Sequence, residues 1–283
     1  YILNSETACP KGRASSGNYI RQGGQHCEKS KQYEEMIKKA LDGKPRGKQR
    51  WLDEVYLCWY IPTTGIWKTV WSEYVPKISL DSVKMTPNVS DFFLEVEYNV
   101  NAPESRCNGD LMVETVVTYK GELINKTLTA ITSNHVCAKI DMAKKCNFSY
   151  VRPMHVWKPN APHLYDVEFR IVDGQNVLDE VGSYCAMREI RIDGNRILLN
   201  GVNLYQRLIL DQGYWKDSHL TPPSEEALIE DIEKIQALGY NGLRKHQKTE
   251  DERFLYWCDV KGMLVWCEAP TALQFSDYAV TEF

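Results

Sequence analysis

Residues 238–270, LGYNGLRKHQKTEDERFLYWCDVKGMLVWCEAP, decide the fold class of this chain. Their apolar start is typical of a short strand, and that strand runs directly into a polar cluster at 244–246. Thr249 and Glu252 form the Thr-x-x-Glu pattern of a capping box, which predicts a helix over about residues 250–261.

The second half of the same unit follows without a break. Gly262 is expected to end the helix in the left-handed conformation. Residues 263–266 then form an apolar run with the length of a buried strand, and this strand closes on Glu268. Because the C-terminal ends of barrel strands carry the chemistry, the pattern favours a barrel enzyme.

An earlier helix is expected near residues 225–238. Ser224 is its predicted N-cap, and the two glutamates after Ser224 are favourable at the positive end of the helix dipole. The apolar residues that share one face at helical spacing are Leu228, Ile232, Ile235 and Leu238. Gly239 ends the helix. The resulting order of strand, helix, strand, helix and strand between 203 and 268 predicts a parallel sheet.

From Ile78 onward the sequence follows the period of β-strands. Apolar and polar residues alternate strictly over 94–100 and again over 167–171, as half-buried antiparallel strands require. About seven short strands in about 110 residues are typical of an immunoglobulin-like sandwich. We therefore predict an all-β domain over about residues 78–190, with the α/β part after it.

Five segments resemble, in the same order, segments of glycoside hydrolase family 2. They are PRGKQRW at 45–51, TTGIWKTVW at 63–71, WKPNAPHLY at 157–165, ILLNG at 197–201, and LILDQGYW at 208–215 with TPPS at 221–224. The third segment matches the W-x-P-x-x-P-x-L-Y signature of the family's second sandwich, and the fourth resembles the hairpin that enters the barrel. The similarity extends over roughly residues 45–283.

The resemblance implies a multi-domain β plus α/β architecture. In that family a jelly-roll sandwich, an immunoglobulin-like sandwich and a (β/α)8 TIM barrel follow one another. We assign 44–76 to the end of a partial jelly roll, 77–191 to the immunoglobulin-like β-sandwich, and 192–283 to the first βα units of a truncated TIM barrel. Residues 1–43 are an unassigned segment, for which a surface loop or insertion is favoured over a functional module.

The same resemblance implies an O-glycosyl hydrolase. Its reaction would be retaining hydrolysis of terminal β-linked sugars, with β-galactosides favoured over β-glucuronides and β-mannosides. In the family the acid/base glutamate follows an asparagine at the end of the fourth barrel strand, but no Asn-Glu pair occurs in these 283 residues. We therefore expect no catalytic residue within this chain and no activity from it alone. The alternative is a non-catalytic carbohydrate-binding or scaffolding protein derived from the family.

Five residues at predicted strand ends are candidates for binding substrate or supporting the site. The resemblance implies that Arg244 orders the catalytic carboxylates with its planar fork, although a structural ion pair is the alternative. His246 follows two positions after it, where the family often has three, and would contact a sugar hydroxyl or lie on the surface. Glu268 would bind a hydroxyl or pair with Arg244. Asp211 and Trp215 would line the pocket or anchor a loop.

Composition and charge exclude several function classes. The 34 basic and 38 acidic residues give a net charge of −4 and are spread evenly, so no basic stripe is available for nucleic acid. No apolar run approaches the ~20 residues of a membrane span. No metal-ligand spacing stands out, so no metal or other cofactor is expected. The expected partner is a carbohydrate, a homo-oligomer is possible, and the lack of a signal-peptide pattern favours the cytoplasm.

The nine cysteines have no metal-binding spacing. Disulfides are possible for Cys9 with Cys27, or among Cys107, Cys137 and Cys146, because spacing alone does not fix connectivity.

Overall fold

The computed structural model describes two compact units. The described residues are 47–48, 60, 63, 65–143 and 154–270, so that the segment 1–43 and much of the expected jelly-roll remnant lie outside them. The first unit is built from Ser72–Tyr205 with Asp259–Gly262, and the second from Gln206–Cys258 with the described residues before 72 and after 262.

Two antiparallel sheets with seven strands form most of the first unit. The strands are β1 (Ser79–Asn88), β2 (Phe93–Asn101), β3 (Leu111–Tyr119), β4 (Glu122–Ala130), β5 (His135–Asp141), β6 (Tyr165–Asp173) and β7 (Asn176–Cys185). One sheet has the order β1-β2-β5 and the other β4-β3-β6-β7. The helical structure in the described part of this region is the short 3-10 turn Glu104–Arg106. The β-rich architecture predicted from the alternation is therefore confirmed.

One apolar core is shared by the two sheets. Leu94 and Val96 point into it from β2, as their alternation with polar residues predicts. Tyr98 contributes a buried ring, which meets Phe169 of the other sheet edge-on at 5.9 Å between centroids. Its hydroxyl is hydrogen-bonded to Thr115 Oγ1 at 2.8 Å, so the polar end of the buried side chain is satisfied. Since each such side chain contributes about 1.5–3 kcal/mol on burial, this core is the main stabilising feature of the unit.

Trp157, the first residue of the third family-like segment, is fully buried in the first unit. Its indole Nε1 donates a hydrogen bond to the carbonyl of Asp259 at 2.8 Å. The Arg188 guanidinium lies over the same indole at 4.6 Å and donates to Asp259 Oδ1 at 2.5 Å. The tryptophan thus combines packing with a satisfied donor, which explains why this position needs an indole rather than a plain apolar ring.

A small three-stranded sheet follows in the same unit. Its strands are β8 (Ile190–Asp193), β9 (Arg196–Leu199) and β10 (Val202–Asn203), in the order β10-β9-β8. Asn200 and Gly201 connect β9 to β10 with φ angles of 52° and 76°. Two successive left-handed residues are what a type I′ turn requires, so residues 197–201 do belong to a hairpin.

The second unit is a parallel sheet with helices between its strands. Its elements are β11 (Leu208–Asp211), α1 (Glu225–Ala237), β12 (Gly242–Lys245), α2 (Glu252–Lys261) and β13 (Leu264–Cys267), with the last residues of α2, from Asp259, counted in the first unit. The sheet order is β11-β12-β13, and both strand pairs are parallel. This is the α/β alternation that the change of period after Asp193 predicts.

Helix α1 begins as the sequence predicts but ends differently. Ser224 Oγ accepts a hydrogen bond from the Ala227 amide at 3.2 Å, which confirms the predicted N-cap. The residues of its apolar face that are buried are Leu228, Ile232 and Ile235. Leu238, expected on the same face, is 72% exposed. It is the C-cap, where the backbone leaves the helix, so its placement in the apolar stripe is wrong.

Helix α2 confirms the helix predicted over about residues 250–261, but the capping box at Thr249 is wrong. Its first residue is Glu252, and Asp251 caps it by accepting a hydrogen bond on Oδ1 from the Arg253 amide at 2.9 Å. Thr249 lies outside this cap. Between them Glu250 is buried, with its carboxylate bound to lysines, and this contact keeps the preceding segment out of the helix.

Cys107 and Cys137 are free thiols. A disulfide between them, one of the pairings that the sequence left open, is therefore wrong. The other cysteines considered, Cys9, Cys27 and Cys146, lie outside the described residues.

Candidate functional site

The C-terminal ends of the three parallel strands bring the candidate residues to one edge of the sheet. Register places Asp211, Lys245 and Cys267 side by side at this edge. His246 and Glu268 follow directly after their strands. Parallel strands make this juxtaposition unavoidable, because all of their carboxyl ends point the same way.

Glu268 is the acceptor that joins the predicted site residues. Its Oε1 is ion-paired with Arg244 Nε. Its Oε2 lies 2.8 Å from His246 Nδ1 and accepts a hydrogen bond from the Gln247 amide at 2.9 Å. Partial burial would raise the pKa of Glu268, but the hydrogen bonds from Gln247, His246 and Arg244 outweigh it and hold that pKa below its ordinary value.

Arg244 is the most exposed of these three side chains, whereas His246 and Glu268 are exposed to about the same extent. The side chain of Arg244 is 47% exposed although one of its nitrogens is bound to Glu268. A guanidinium carries five N–H donors in a plane, so Arg244 has donors beyond the one used. His246 is half-buried, and its Nε2 lies 3.4 Å from Gln247 Nε2. This arrangement fits a group of donors that faces a polar ligand.

Asp211 and Trp215 hold the loop that follows β11. Asp211 Oδ2 binds Lys245 Nζ at 2.6 Å, while its Oδ1 accepts from the Gly213 amide at 2.7 Å. Trp215 packs against the apolar core under α1 and α2. The structure thus brings Asp211 to the same edge as Arg244, whereas Trp215 is directed toward the core.

A buried charge network next to these residues was missed by reasoning from the sequence. Lys245 and Glu250 are each only 1% exposed, and their charged atoms lie 2.9 Å apart. Lys248 lies 3.0 Å from the other oxygen of Glu250. Its Nζ also donates to the carbonyls of Gly213 at 2.6 Å and Leu220 at 2.9 Å. Lys248 therefore connects the loops after β11 and β12.

The network shifts the pKa values of its two lysines in opposite directions. Desolvation lowers the pKa of a buried lysine, but for Lys245 the charges of Glu250 and Asp211 outweigh it and raise that pKa. For Lys248 desolvation prevails, and the pKa is lowered. Burial would raise the pKa of Glu250, yet the two lysines hold it below its ordinary value. Charges of both signs are therefore retained in the interior because they are paired.

One signal in the sequence would have found part of this network. Neighbouring side chains of a strand point to opposite faces, so a strand that buries Leu243 and exposes Arg244 must bury Lys245. A buried lysine requires a carboxylate partner, and two acidic residues at 250 and 251 follow within a short loop. The choice of Glu250 over Asp251 depends on the tertiary fold.

Lys48 lies at the same edge, in the second unit. Its Nζ donates to the Gln212 carbonyl at 2.7 Å, and its ammonium lies 5.1 Å and 5.0 Å from the ring centres of Tyr60 and Tyr214. Desolvation, together with the neighbouring positive charge of Lys248, lowers the pKa of Lys48 to about 8. The two rings are themselves stacked, at 3.7 Å between centroids.

The carboxylates at this edge are held by neighbouring cations. Among the residues that the structure describes, Asp211, Glu250 and Glu268 supply these carboxylates, and each is bonded to a lysine, arginine or histidine. Within the described ranges no group of three His, Cys, Asp or Glu side chains could hold a metal ion. Neither α1 nor α2 has the length and apolar content of a membrane-spanning helix.

Comparison with known proteins shows the family that the chain resembles. Residues 78–188 match the family described as glycosyl hydrolases family 2. A putative beta-glucuronidase from Formosa agariphila is 25% identical over 212 residues, which cover 73% of this chain and 24% of that protein. A beta-galactosidase from Photobacterium profundum is 23% identical over 235 residues, with coverages of 78% and 22%. The chain thus spans about a quarter of the length of the curated relatives it matches.

Solved structures are similar as well. A β-glucuronidase from Ruminococcus gnavus, in complex with C6-substituted uronic isofagomine, gives a TM-score of 0.57 at 20% identity, covering 73% of this chain and 33% of that one. The β-glucuronidase of Dictyoglomus thermophilum gives 0.55 at 17% identity, with coverages of 71% and 31%. At these identities the likeness shows a shared fold. With the matches in sequence, it confirms the resemblance inferred from the five segments.

Proposed function

We propose that this chain, a relative of the family 2 glycosyl hydrolases, forms one side of the substrate site of an enzyme that hydrolyses terminal β-linked sugars with retention. The observation that carries the proposal is the group of Arg244, His246 and Glu268 at the carboxyl ends of parallel strands. Substrates bind at that end of the strands in α/β barrels.

The chemistry of this group suits a sugar. Hydroxyl groups are recognised by donors and acceptors with fixed directions, and Glu268 fixes both Arg244 and His246. The exposed part of the Arg244 guanidinium is positioned for a carboxylate or a sugar oxygen. The paired state of Glu268 keeps it an acceptor and argues against a role as proton donor.

We place both catalytic carboxylates outside the 283 residues. Retaining glycosidases need two carboxyl groups about 5–5.5 Å apart, one as nucleophile and one as acid/base. The resemblance assigns the acid/base to an Asn-Glu pair, which this sequence does not contain. In the same proposal, residues 44–76 are the end of a jelly roll, 77–191 an immunoglobulin-like sandwich, and 192–283 the first units of a TIM barrel.

β-Galactosides are the favoured substrates and β-glucuronides the second choice. Relatives named as beta-galactosidases and as beta-glucuronidases both match the chain at low identity. The two sugars differ in the orientation of the C4 hydroxyl and in the group on C5, which is a hydroxymethyl group in the first and a carboxylate in the second. A sugar-binding or scaffolding protein without catalysis is the alternative, favoured by the paired state of every carboxylate at the described edge.

The test compares two proteins on nitrophenyl β-galactoside, β-glucuronide and β-mannoside. The first is the 283-residue chain, and the second is a longer protein in which the remaining barrel strands follow it. We expect turnover from the longer protein alone, with the galactoside fastest. Turnover by the 283-residue chain would refute the placement of the carboxylates. Sugar binding without turnover by the longer protein would support the non-catalytic alternative.

A further inference from the structure

The solvent face of the sheet β1-β2-β5 carries a thiol and an imidazole side by side. His135 and Cys137 are exposed on β5, and Val136 between them points into the core. Residues two apart on a strand project from the same face, so the two side chains are neighbours. On β2, Asn99 lies directly opposite His135.

The contacts form a chain from the thiol to a hydroxyl group. Cys137 Sγ lies 3.6 Å from His135 Nε2, and His135 Nδ1 lies 2.9 Å from Asn99 Oδ1. Asn99 in turn donates from Nδ2 to Ser82 Oγ at 2.8 Å. Because Nδ2 is directed to Ser82, the atom that faces the imidazole is the acceptor Oδ1. The imidazole proton therefore lies on Nδ1, and the lone pair of Nε2 faces the thiol.

This is the arrangement that activates sulfur nucleophiles. An adjacent base accepts the thiol proton, and a third group holds the base in the correct tautomer and orientation. In this chain Cys137 is the nucleophile, His135 the base and Asn99 the orienting group. All three lie on strands of one hydrogen-bonded sheet, which fixes their separation more firmly than a loop would.

We propose that Cys137 is a modification site that forms reversible mixed disulfides with low-molecular-weight disulfides. The Cys137 sulfur attacks one sulfur of the small disulfide, a new S–S bond forms, and the old one breaks. The thiol proton passes to His135 Nε2 and from there to the departing thiolate, which leaves as a free thiol. The small disulfide is the oxidant: one of its sulfurs stays in the mixed disulfide and the other leaves as the reduced thiol, so the number of S–S bonds is unchanged. A second small thiol reverses the reaction by the same exchange.

The acidic side chains near the Cys137 thiol are paired with lysines, which reduces their repulsion of an anionic disulfide. Glu97 is the cross-strand neighbour of Cys137, and its carboxylate is bonded to Lys84 Nζ at 2.6 Å. That hydrogen bond lowers the pKa of Glu97, so the pair stays charged and balanced. Lys139 continues the exposed face one step further along β5, where it pairs with Glu95 at 3.3 Å.

Two other cysteines of the first unit provide internal comparisons. The thiol of Cys107 donates to Asn134 Oδ1 at 3.1 Å. An amide oxygen cannot take up a proton near neutral pH, so Cys107 has a hydrogen-bond partner but no base. Burial raises the pKa of the Cys185 thiol to about 12, which removes it as a nucleophile. Reactivity with a small disulfide should therefore separate Cys137 from both.

The experiment incubates the whole 283-residue protein with oxidised glutathione at neutral pH and follows each cysteine by peptide mass spectrometry. We expect Cys137 to be modified at least about tenfold faster than Cys107, a low value for the effect of a positioned base. Added dithiothreitol should restore the free thiol. The rates at cysteines outside the described residues are read in the same spectra.

His135→Gln is the decisive variant, because it retains a polar side chain but removes the base. It should lower the rate at Cys137 at least about tenfold and leave the rate at Cys107 unchanged. Asn99→Ala, which releases the imidazole, should give a smaller loss at Cys137. His135 is exposed and Asn99 is partly exposed on the same face of the sheet. Unchanged unfolding temperatures serve as the control for folding.

Two results would overturn the proposal. One is a Cys137 rate no faster than that of Cys107 in the unaltered protein, and the other is an unchanged Cys137 rate in His135→Gln. Neither measurement involves a sugar, so the outcome is independent of whether the proposed glycosidase function holds.

Discussion

Replacing Lys248 by methionine should destabilise the second unit, because this buried ammonium connects two loops at the candidate site. Its Nζ donates to the carbonyls of Gly213 at 2.6 Å and Leu220 at 2.9 Å. It also pairs with Glu250 at 3.0 Å. Methionine has a similar length and apolar stem but none of the three donors of an ammonium.

The magnitude follows from what each partner would lose. Leaving a buried acceptor without a donor costs about 1–3 kcal/mol, and two carbonyls are affected. Glu250 keeps its contact with Lys245 at 2.9 Å, so its carboxylate remains compensated. The desolvation that lowers the pKa of Lys248 is relieved in the variant and offsets part of the loss. We expect a decrease of about 2–4 kcal/mol in the free energy of unfolding, a large part of the ~5–15 kcal/mol that stabilises a typical domain.

Urea unfolding followed by tryptophan fluorescence would measure this loss, and amide hydrogen exchange over residues 212–220 would locate it. The matched control is Lys234→Met, which removes an exposed lysine that pairs with Glu230 on the surface of α1 at 2.9 Å. That pair should contribute no more than about 0.5 kcal/mol. If Lys248→Met unfolds at the same urea concentration as the control, the connecting role assigned to Lys248 is wrong.

Three further predictions concern other parts of the chain. Gly242→Ala should destabilise the parallel sheet by about 1–3 kcal/mol in urea unfolding, because a Cβ at this position would lie 2.5 Å from Leu208 Cδ2. A free energy of unfolding equal to that of the wild type would contradict this packing. In the longer enzyme of the proposed function, Arg244→Lys should lower kcat/KM by an amount that corresponds to about 1–3 kcal/mol of transition-state stabilisation, with an unchanged unfolding temperature. A lower unfolding temperature with unchanged kinetics would instead show that the role of this arginine is purely structural. Desolvation and the nearby His155 lower the pKa of His163, so its stabilising contribution is present above the ordinary histidine pKa and is lost as the pH falls through the lowered folded value. His163→Gln should therefore flatten the decline of the unfolding temperature between about pH 7 and pH 5, and an equally steep decline in that variant would refute the assignment.

The sequence predicts well those features that depend on local periodicity. Alternation over 94–100 places Leu94, Val96 and Tyr98 in the core, because a strand has only two faces. The helical spacing of Ile232 and Ile235, together with the Ser224 cap, likewise needs only neighbours within a few residues. Parallel pairing of the three strands follows from the helices between them.

Features that depend on partners distant in sequence are those that local reasoning misses. The capping box at Thr249 fails because Glu250 is held by Lys245 and Lys248, which is a tertiary contact. The meeting of Arg244 with Glu268 depends on the register of β12 with β13. Strand ends indicate which edge of the sheet is polar, but only the register shows which donor meets which acceptor.

The strands β11, β12 and β13 occupy the sheet in the same order in which a ribosome makes them. Each strand can therefore join the growing sheet as it leaves the exit tunnel, with no later strand inserted between earlier ones. The ion pairs at this edge do not form strand by strand in the same way. Arg244 is translated 24 residues before the carboxylate it binds. Lys245 of the same strand pairs with Asp211 and Glu250, which are made before Glu268. The emergence of Glu268 is thus the moment in synthesis at which Arg244 gains its partner, and a pause in translation just before it would leave that guanidinium without its carboxylate.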